Sequence, residues 1–503
     1  MHPLSIFYLK IMKLRRTALL VYSFVIGLNV TAQSAVNMKF GKPTKEELQM
    51  TTYAEDSTAE AVVLCRLTDV NFSIQQNGYL VDYHEKIRIK VLKPEGTRWA
   101  NMTIPYYKID TDKNKMRASK FSLMTGDMSG NFIQGGSFID NALGNFSDED
   151  VEDLKVIAYN LEGNKTVKSS LNKKTVVKEQ VDEQQYQLRF TVPNVKVGTV
   201  IECEYTIHSE LFYMIHDWYA QCEIPVMYAK LYMDVPCYLI YNMEEQGVQR
   251  LNCQCITGSM NYKLESDPLA APVNVRTNRY TCVGRNLKGI PRDMNVWNVN
   301  DYYAGIIMEL KSFSLQNTMM MDCIKSWEQI DQILLDDEDL GKQLSHHSPL
   351  RQELENAKVT DITSQKERAE AVCKLVMDHV KWNEKYALWP RSTSETLKEG
   401  SGSNADINML LIQSLRDAGL DASPIVLRSR DKGLLPHNFP SLRKLTTYII
   451  AVNTDSSNVY IDASMGGKVN LLPASLIVER ARMVQSGKKS HWVNLRNVQK
   501  SSR

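Results

Sequence analysis

The chain is 503 residues long, 43% hydrophobic, with 60 basic and 58 acidic side chains giving a formal net charge of +2. That length is too great for one core and implies two or three domains, and the balanced charge excludes recognition of nucleic acid or anionic lipid by bulk electrostatics. No low-complexity tract or internal repeat interrupts the sequence, so a folded chain is expected.

In chain order, the basic patch Lys13-Leu14-Arg15-Arg16 precedes the apolar run from Ala18 to Val30, and Val30-Thr31-Ala32 offers small residues for cleavage. This pattern predicts a signal peptide over residues 1–32 and an exported, periplasmic protein. The apolar run is shorter than a spanning helix, no cysteine follows it closely, and no later stretch reaches spanning length, so no membrane span is expected after cleavage.

After an N-terminal segment (33–59), residues 60–264 alternate apolar and polar, most clearly over Tyr79–Val91 and Gln187–Ile207. That period predicts a mostly antiparallel, sandwich-like β domain, with turns at Pro94-Glu95-Gly96, Glu162-Gly163-Asn164 and Val197-Gly198. The run Ser266-Asp267-Pro268-Leu269-Ala270-Ala271-Pro272 breaks the pattern, and residues 265–310 are expected to form a crossover. From 311 to 495 the period changes, leaving a tail over 496–503. Ala369, Val372, Cys373, Val376 and Val380 mark one face of a helix over Ser364–Val380. Ser403 and Asp406 form a capping-box pattern for a second helix, which Gly419 ends. Three strands are expected at Pro424–Leu427, Thr447–Val452 and Val459–Ile461. The predicted fold class is α+β, a β-sandwich-like domain followed by a helix, helix, sheet domain.

The nine cysteines sit mainly in apolar contexts and are expected to be buried free thiols. Cys253-Gln254-Cys255 lacks the spacing of a zinc site. Cys323 and Cys373 are assigned to apolar helical faces. His346-His347 is expected to be a solvated pair, and His437, between prolines, a solvated loop histidine. No metal or cofactor is expected.

Five blocks carry a resemblance: Trp382-Asn383-Glu384-Lys385, Gly402-Ser403-Asn404-Ala405-Asp406-Ile407-Asn408, Leu415 to Ala422, Ser429-Arg430-Asp431-Lys432-Gly433 and Tyr460-Ile461-Asp462-Ala463-Ser464. In this order they resemble the transglutaminase-like fold, a papain-type α+β arrangement. The first half, best matched over Phe190–Tyr205, resembles the β-rich domain of unknown function that accompanies such domains in exported Bacteroidetes proteins. Proteins of that kind continue into a further C-terminal β domain, whereas this sequence stops at Arg503.

The resemblance implies a catalytic cysteine at the start of the second helix, a histidine on the following strand and an aspartate beyond it. Those positions hold Asn404, Tyr448 and Asp462. An asparagine amide forms no thioester, and a phenol of ordinary pKa is a poor base at neutral pH. Tyr448 is expected to bond Asp462 through its hydroxyl in the slot of the histidine. Ser403 has no histidine to activate it. The resemblance therefore implies a catalytically silent module for a peptide, protein or envelope-polymer ligand. The alternatives are an acyl transferase or amidase with another nucleophile and a purely structural envelope protein.

Overall fold

The computed structural model describes residues 38–75, 78–108, 148–181, 185–262, 271–292, 296–314, 320–323, 325–455 and 457–496. The expected signal peptide (residues 1–32) and most of the expected tail lie outside them. The described residues from Pro43 onward form one compact unit, to which every sheet belongs.

The chain is a strand-rich α+β fold. Its largest sheet has eight strands, in the order Asn252–Tyr262, Val273–Leu287, Val226–Pro236, Ala61–Gln75, Gly78–Val91, Val200–Ser209, Glu149–Glu162 and Lys165–Ser170. All neighbours are antiparallel except Ala61–Gln75 with Val226–Pro236, which run parallel. Along Gly78–Val91 the alternation does what a pleated strand requires: Tyr79, Val81, Tyr83, Ile89 and Val91 enter one core. The opposite face is not left to water. Arg88 donates to Glu202 at 2.9 Å and to Glu47 at 2.8 Å, on the short helix Lys45–Gln49, and Lys90 donates to the carbonyls of Leu48 and Gly198 at 2.8 and 2.6 Å.

The apolar face of this sheet shares one core with a three-stranded sheet (Asn101–Tyr107, Gln185–Thr191, Val177–Gln180) and with the sheet built on Leu239–Gln246 and Gly305–Phe313. Phe72 meets Tyr241 across it, with ring centroids 6.1 Å apart. Residues 265–310, expected as a crossover, instead carry the fifteen-residue strand Val273–Leu287 and most of Gly305–Phe313. The strand escaped the periodicity because most of its side chains are partly or fully exposed on both faces.

The second half opens with the helix Trp327–Asp336 and reaches the helix Gln365–His379, which buries Ala369, Val372, Cys373 and Val376. The helix Asn404–Asp417 lies at the centre, with Asn404 to Leu415 all buried. It packs on the sheet ordered Asn458–Ile461, Thr447–Asn453, Asp421–Leu427, Ala481–Met483 and His491–Val493. The three expected strands are its first three members.

The loop between Leu427 and Thr447 is tied to the β-rich half by acid–base contacts. Glu244 accepts from the amides of His437 and Asn438, Glu309 accepts from Ser441 at 2.9 Å and Arg443 at 3.2 Å, and Asp217 pairs with Lys444. These contacts fix where the strand carrying Tyr448 begins.

Candidate functional site

The positions of interest are set by the way the central helix starts. Ser403 is the cap: its hydroxyl accepts from the Asp406 amide at 3.2 Å, and the Asp406 carboxylate accepts from the Ser403 amide at 2.8 Å. Gly402 precedes it because any Cβ there would come within 2.8 Å of the Asp406 Cβ. Asn404 is thus the first helical residue. Its own amide donates to Lys385 O at 3.0 Å, which satisfies one of the donors a helix start leaves over.

The Asn404 side chain is fully engaged. Its Nδ2 donates to Thr447 Oγ1 at 2.6 Å and lies 3.3 Å from Asp462 Oδ2 and 3.4 Å from Tyr448 O, while its Oδ1 accepts from the Ala387 amide at 3.1 Å. One helical turn on, Asn408 repeats the pattern. Its Nδ2 donates to Tyr448 O and Asp462 Oδ2, both at 2.9 Å, and its Oδ1 accepts from the Ala463 amide at 2.9 Å. Asp462 caps the following turn, its Oδ1 accepting from the Ser464 amide at 3.0 Å and from the Ser464 hydroxyl. Asn404, Asn408, Thr447, Tyr448 and Asp462 have no solvent exposure.

Burial raises the Asp462 carboxyl above the ordinary range, against the pull of its bonds from Ser464, Asn408 and Asn404. Burial also lifts the Tyr448 phenol well above 10. The cluster therefore couples two asparagine amides, the Thr447 and Ser464 hydroxyls and one carboxylate in a hydrogen-bonded network. It holds a helix start, a strand and a turn together. Of the hydroxyls in it only that of Ser464 belongs to a partly exposed residue, and that hydroxyl donates to the Asp462 carboxylate.

Asn404 and Asp462 touch, and Tyr448 meets both asparagines through its backbone carbonyl. The tyrosine hydroxyl, however, does not bond Asp462. It donates to Ala405 O at 2.6 Å, because the phenol runs along the helix start while the carboxylate is already filled by four donors. Asn408 and Thr447 are members that the sequence reading did not assign. The signal for Asn408 was its i, i+4 spacing from Asn404, which puts both on one helical face.

At the outer edge of the cluster, the Tyr386 hydroxyl donates to Ser464 Oγ at 3.2 Å and its ring lies 5.3 Å from that of Trp382. Ser403 has no histidine nearby to act on it: the His437 ring contacts Arg480 at 3.1 Å. His346 and His347 are both exposed, as expected of a solvated pair, and His347 Nδ1 lies 2.6 Å from the Asp417 carboxylate at the end of the central helix. Cys323 is not helical. It follows the short strand Met321–Asp322, and burial pushes its thiol up to about 12, as it does for Cys373.

The expectation of buried free thiols holds for Cys65, Cys203 and Cys373, whereas Cys222, Cys237 and Cys323 are free but only partly buried. Cys253 and Cys282 face each other across neighbouring strands and form a disulfide, and Cys255 is exposed. Among the described residues no group of three or more His, Cys, Asp or Glu side chains is arranged to hold a metal ion, and no helix is long and apolar enough to cross a membrane.

No family model matches the chain, and no curated protein does. Among solved structures, one from Parabacteroides distasonis ATCC 8503, described as a "putative protease", aligns over 87% of this chain and 72% of its own, with 12% identity and a TM-score of 0.48. At that similarity it carries no argument about fold family or activity.

Proposed function

We propose that the second half is a catalytically silent transglutaminase-like, papain-type domain, and that the exported chain works as a binding or scaffold module for a peptide or envelope ligand. The observation that carries this reading is the state of Asn404. At the helix start where the resemblance implies a thiolate, this amide has no solvent exposure and spends its donors and its acceptor on Thr447, Asp462, Tyr448 O and the Ala387 amide. A nucleophile must reach its substrate and be paired with a base. The buried Asp462 and the high phenol of Tyr448 supply no such pair. Amine incorporation and amide hydrolysis on glutamine-containing peptides test it. The purified chain is expected to give no turnover above a blank, and robust turnover would replace this reading with the enzyme one. Cell fractionation tests export, with the chain expected in the periplasmic or extracellular fraction.

A further inference from the structure

In the β-rich half, a different feature stands out in charge and shape. Residues Gly163 to Lys178 contain five lysines, at 165, 168, 173, 174 and 178, and no acidic residue. Among the described residues, none of these five is in an ion pair with a carboxylate, and Lys168 sits over the Tyr159 ring. The segment forms the last strand of the eight-stranded sheet, Lys165–Ser170, and then the last strand of the three-stranded sheet, Val177–Gln180. Both are edge strands, and an edge exposes a row of backbone donors and acceptors.

Between them lies an open cavity of about 660 Å³, with Leu171, Phe190 and Pro193 among its apolar walls and Val177, Arg189 and Thr191 also lining it. Lys173 and Lys174 lie between two of its lining residues, Asn172 and Thr175, and Lys178 follows another, Val177. Glu179 offsets Arg189 only at 3.8 Å. Val167 and Val177, one on each edge strand, and Val181, just after the second, are exposed at 39%, 58% and 53% and form apolar surface beside the cavity.

We propose that this groove binds an acidic peptide in extended form, added as a strand along Val177–Gln180 with an apolar side chain seated in the cavity. Each element of that ligand answers something in the groove. The edge, unpaired among the described residues, takes main-chain hydrogen bonds, the cavity takes alternate side chains, and the lysines select acidic residues between them. An anionic polysaccharide would satisfy the lysines but neither the edge nor the apolar wall. The inference does not depend on how the buried cluster around Asn404 is read.

The test is fluorescence anisotropy with the purified chain and a labelled peptide of alternating glutamate and valine. Saturable binding is expected, weakened about tenfold or more by the surface double substitution Lys173→Glu, Lys174→Glu, and by raising the salt. A peptide of equal charge with proline at alternate positions, which lacks the backbone donors along one of its two edges, should bind at least about tenfold more weakly. Equal binding of the proline peptide or of polygalacturonate would overturn the strand-addition proposal in favour of a general polyanion surface. Unchanged affinity in the double variant, or no saturable binding up to about 1 mM peptide, would overturn it outright.

Discussion

Asn408→Ala is the sharpest probe of the buried cluster. The substitution removes three bonds of 2.9 Å at once: two from Nδ2, to Asp462 Oδ2 and Tyr448 O, and one to Oδ1 from the Ala463 amide. Asp462 Oδ2 and Tyr448 O then retain only Asn404, at 3.3 and 3.4 Å, and the Ala463 amide is orphaned. An orphaned buried amide costs about 1–3 kcal/mol and loss of a bond to a carboxylate about 1.5–3 kcal/mol. The expected loss is about 3–5 kcal/mol, allowing for non-additivity within one network.

The loss should also depend on pH. The folded pKa of Asp462 already stands above its unfolded value, and the bond from Asn408 is one of those holding it down. Removing that bond raises the folded pKa further. A raised carboxyl contributes stability that is complete below the unfolded pKa of about 3.9 and is lost as pH climbs through the folded value. The deficit of the variant should therefore be larger at pH 7.5 than at pH 4.5. Hydrogen exchange of peptides from Asn404–Asp417, converted to opening free energies, measures it directly. A loss below about 1 kcal/mol, or one equal at both pH values, would refute the claim that this network holds the helix start.

Three further outcomes are expected. Iodoacetamide followed by peptide mass spectrometry should modify Cys255 rapidly, whereas Cys65, Cys203, Cys323 and Cys373, each pushed by burial to about 12, should stay unmodified in the native protein. Burial lowers Lys90 to about 8, so the unfolded chain holds the proton more tightly and this group adds stability as pH rises from about 8 towards about 10.4. The stability difference between the native chain and Lys90→Met, from urea melts, should shift in favour of the native chain over that window, and a flat difference would contradict it. Asn404→Cys combined with Tyr448→His should fold yet give no efficient acyl transfer, because the new thiol sits where the structure has no exposed surface, and amine-incorporation assays check this.

Legibility in the sequence tracks how local the physical causes are. The start and stop of the central helix were legible because Ser403, Asp406 and Gly419 each act within a few residues. The strand Gly78–Val91 was legible because one of its faces is apolar at every position but Glu85. Val273–Leu287 was not, since its place in the sheet rests on backbone pairing with strands distant in sequence and its side chains carry little of the pattern. At the candidate site, the sequence resemblance singled out Asn404, Tyr448 and Asp462, but position does not give direction. The Tyr448 hydroxyl turned to Ala405 O because Asp462 had better-placed donors in Asn408 and Ser464, a competition visible only in three dimensions. The pairing of Cys253 with Cys282 was equally a matter of strand register.

The parallel contact between Ala61–Gln75 and Val226–Pro236 sets a timetable for the growing chain. The first strand made ends up in the interior of the sheet, and only one of its two flanks, Gly78–Val91, emerges directly after it. The other flank is separated from it by about 150 residues, which at ordinary ribosomal speeds of about 5–20 residues per second means roughly 10–30 s. Through that interval an apolar strand rich in Val, Leu and Ile waits with one side open, the kind of surface that holding chaperones and mispaired neighbours compete for. Truncations ending before Val226 should therefore aggregate more than those ending after Phe313, because only the latter hold both Val226–Pro236, which covers the open flank of the first strand, and the partner of Leu239–Gln246.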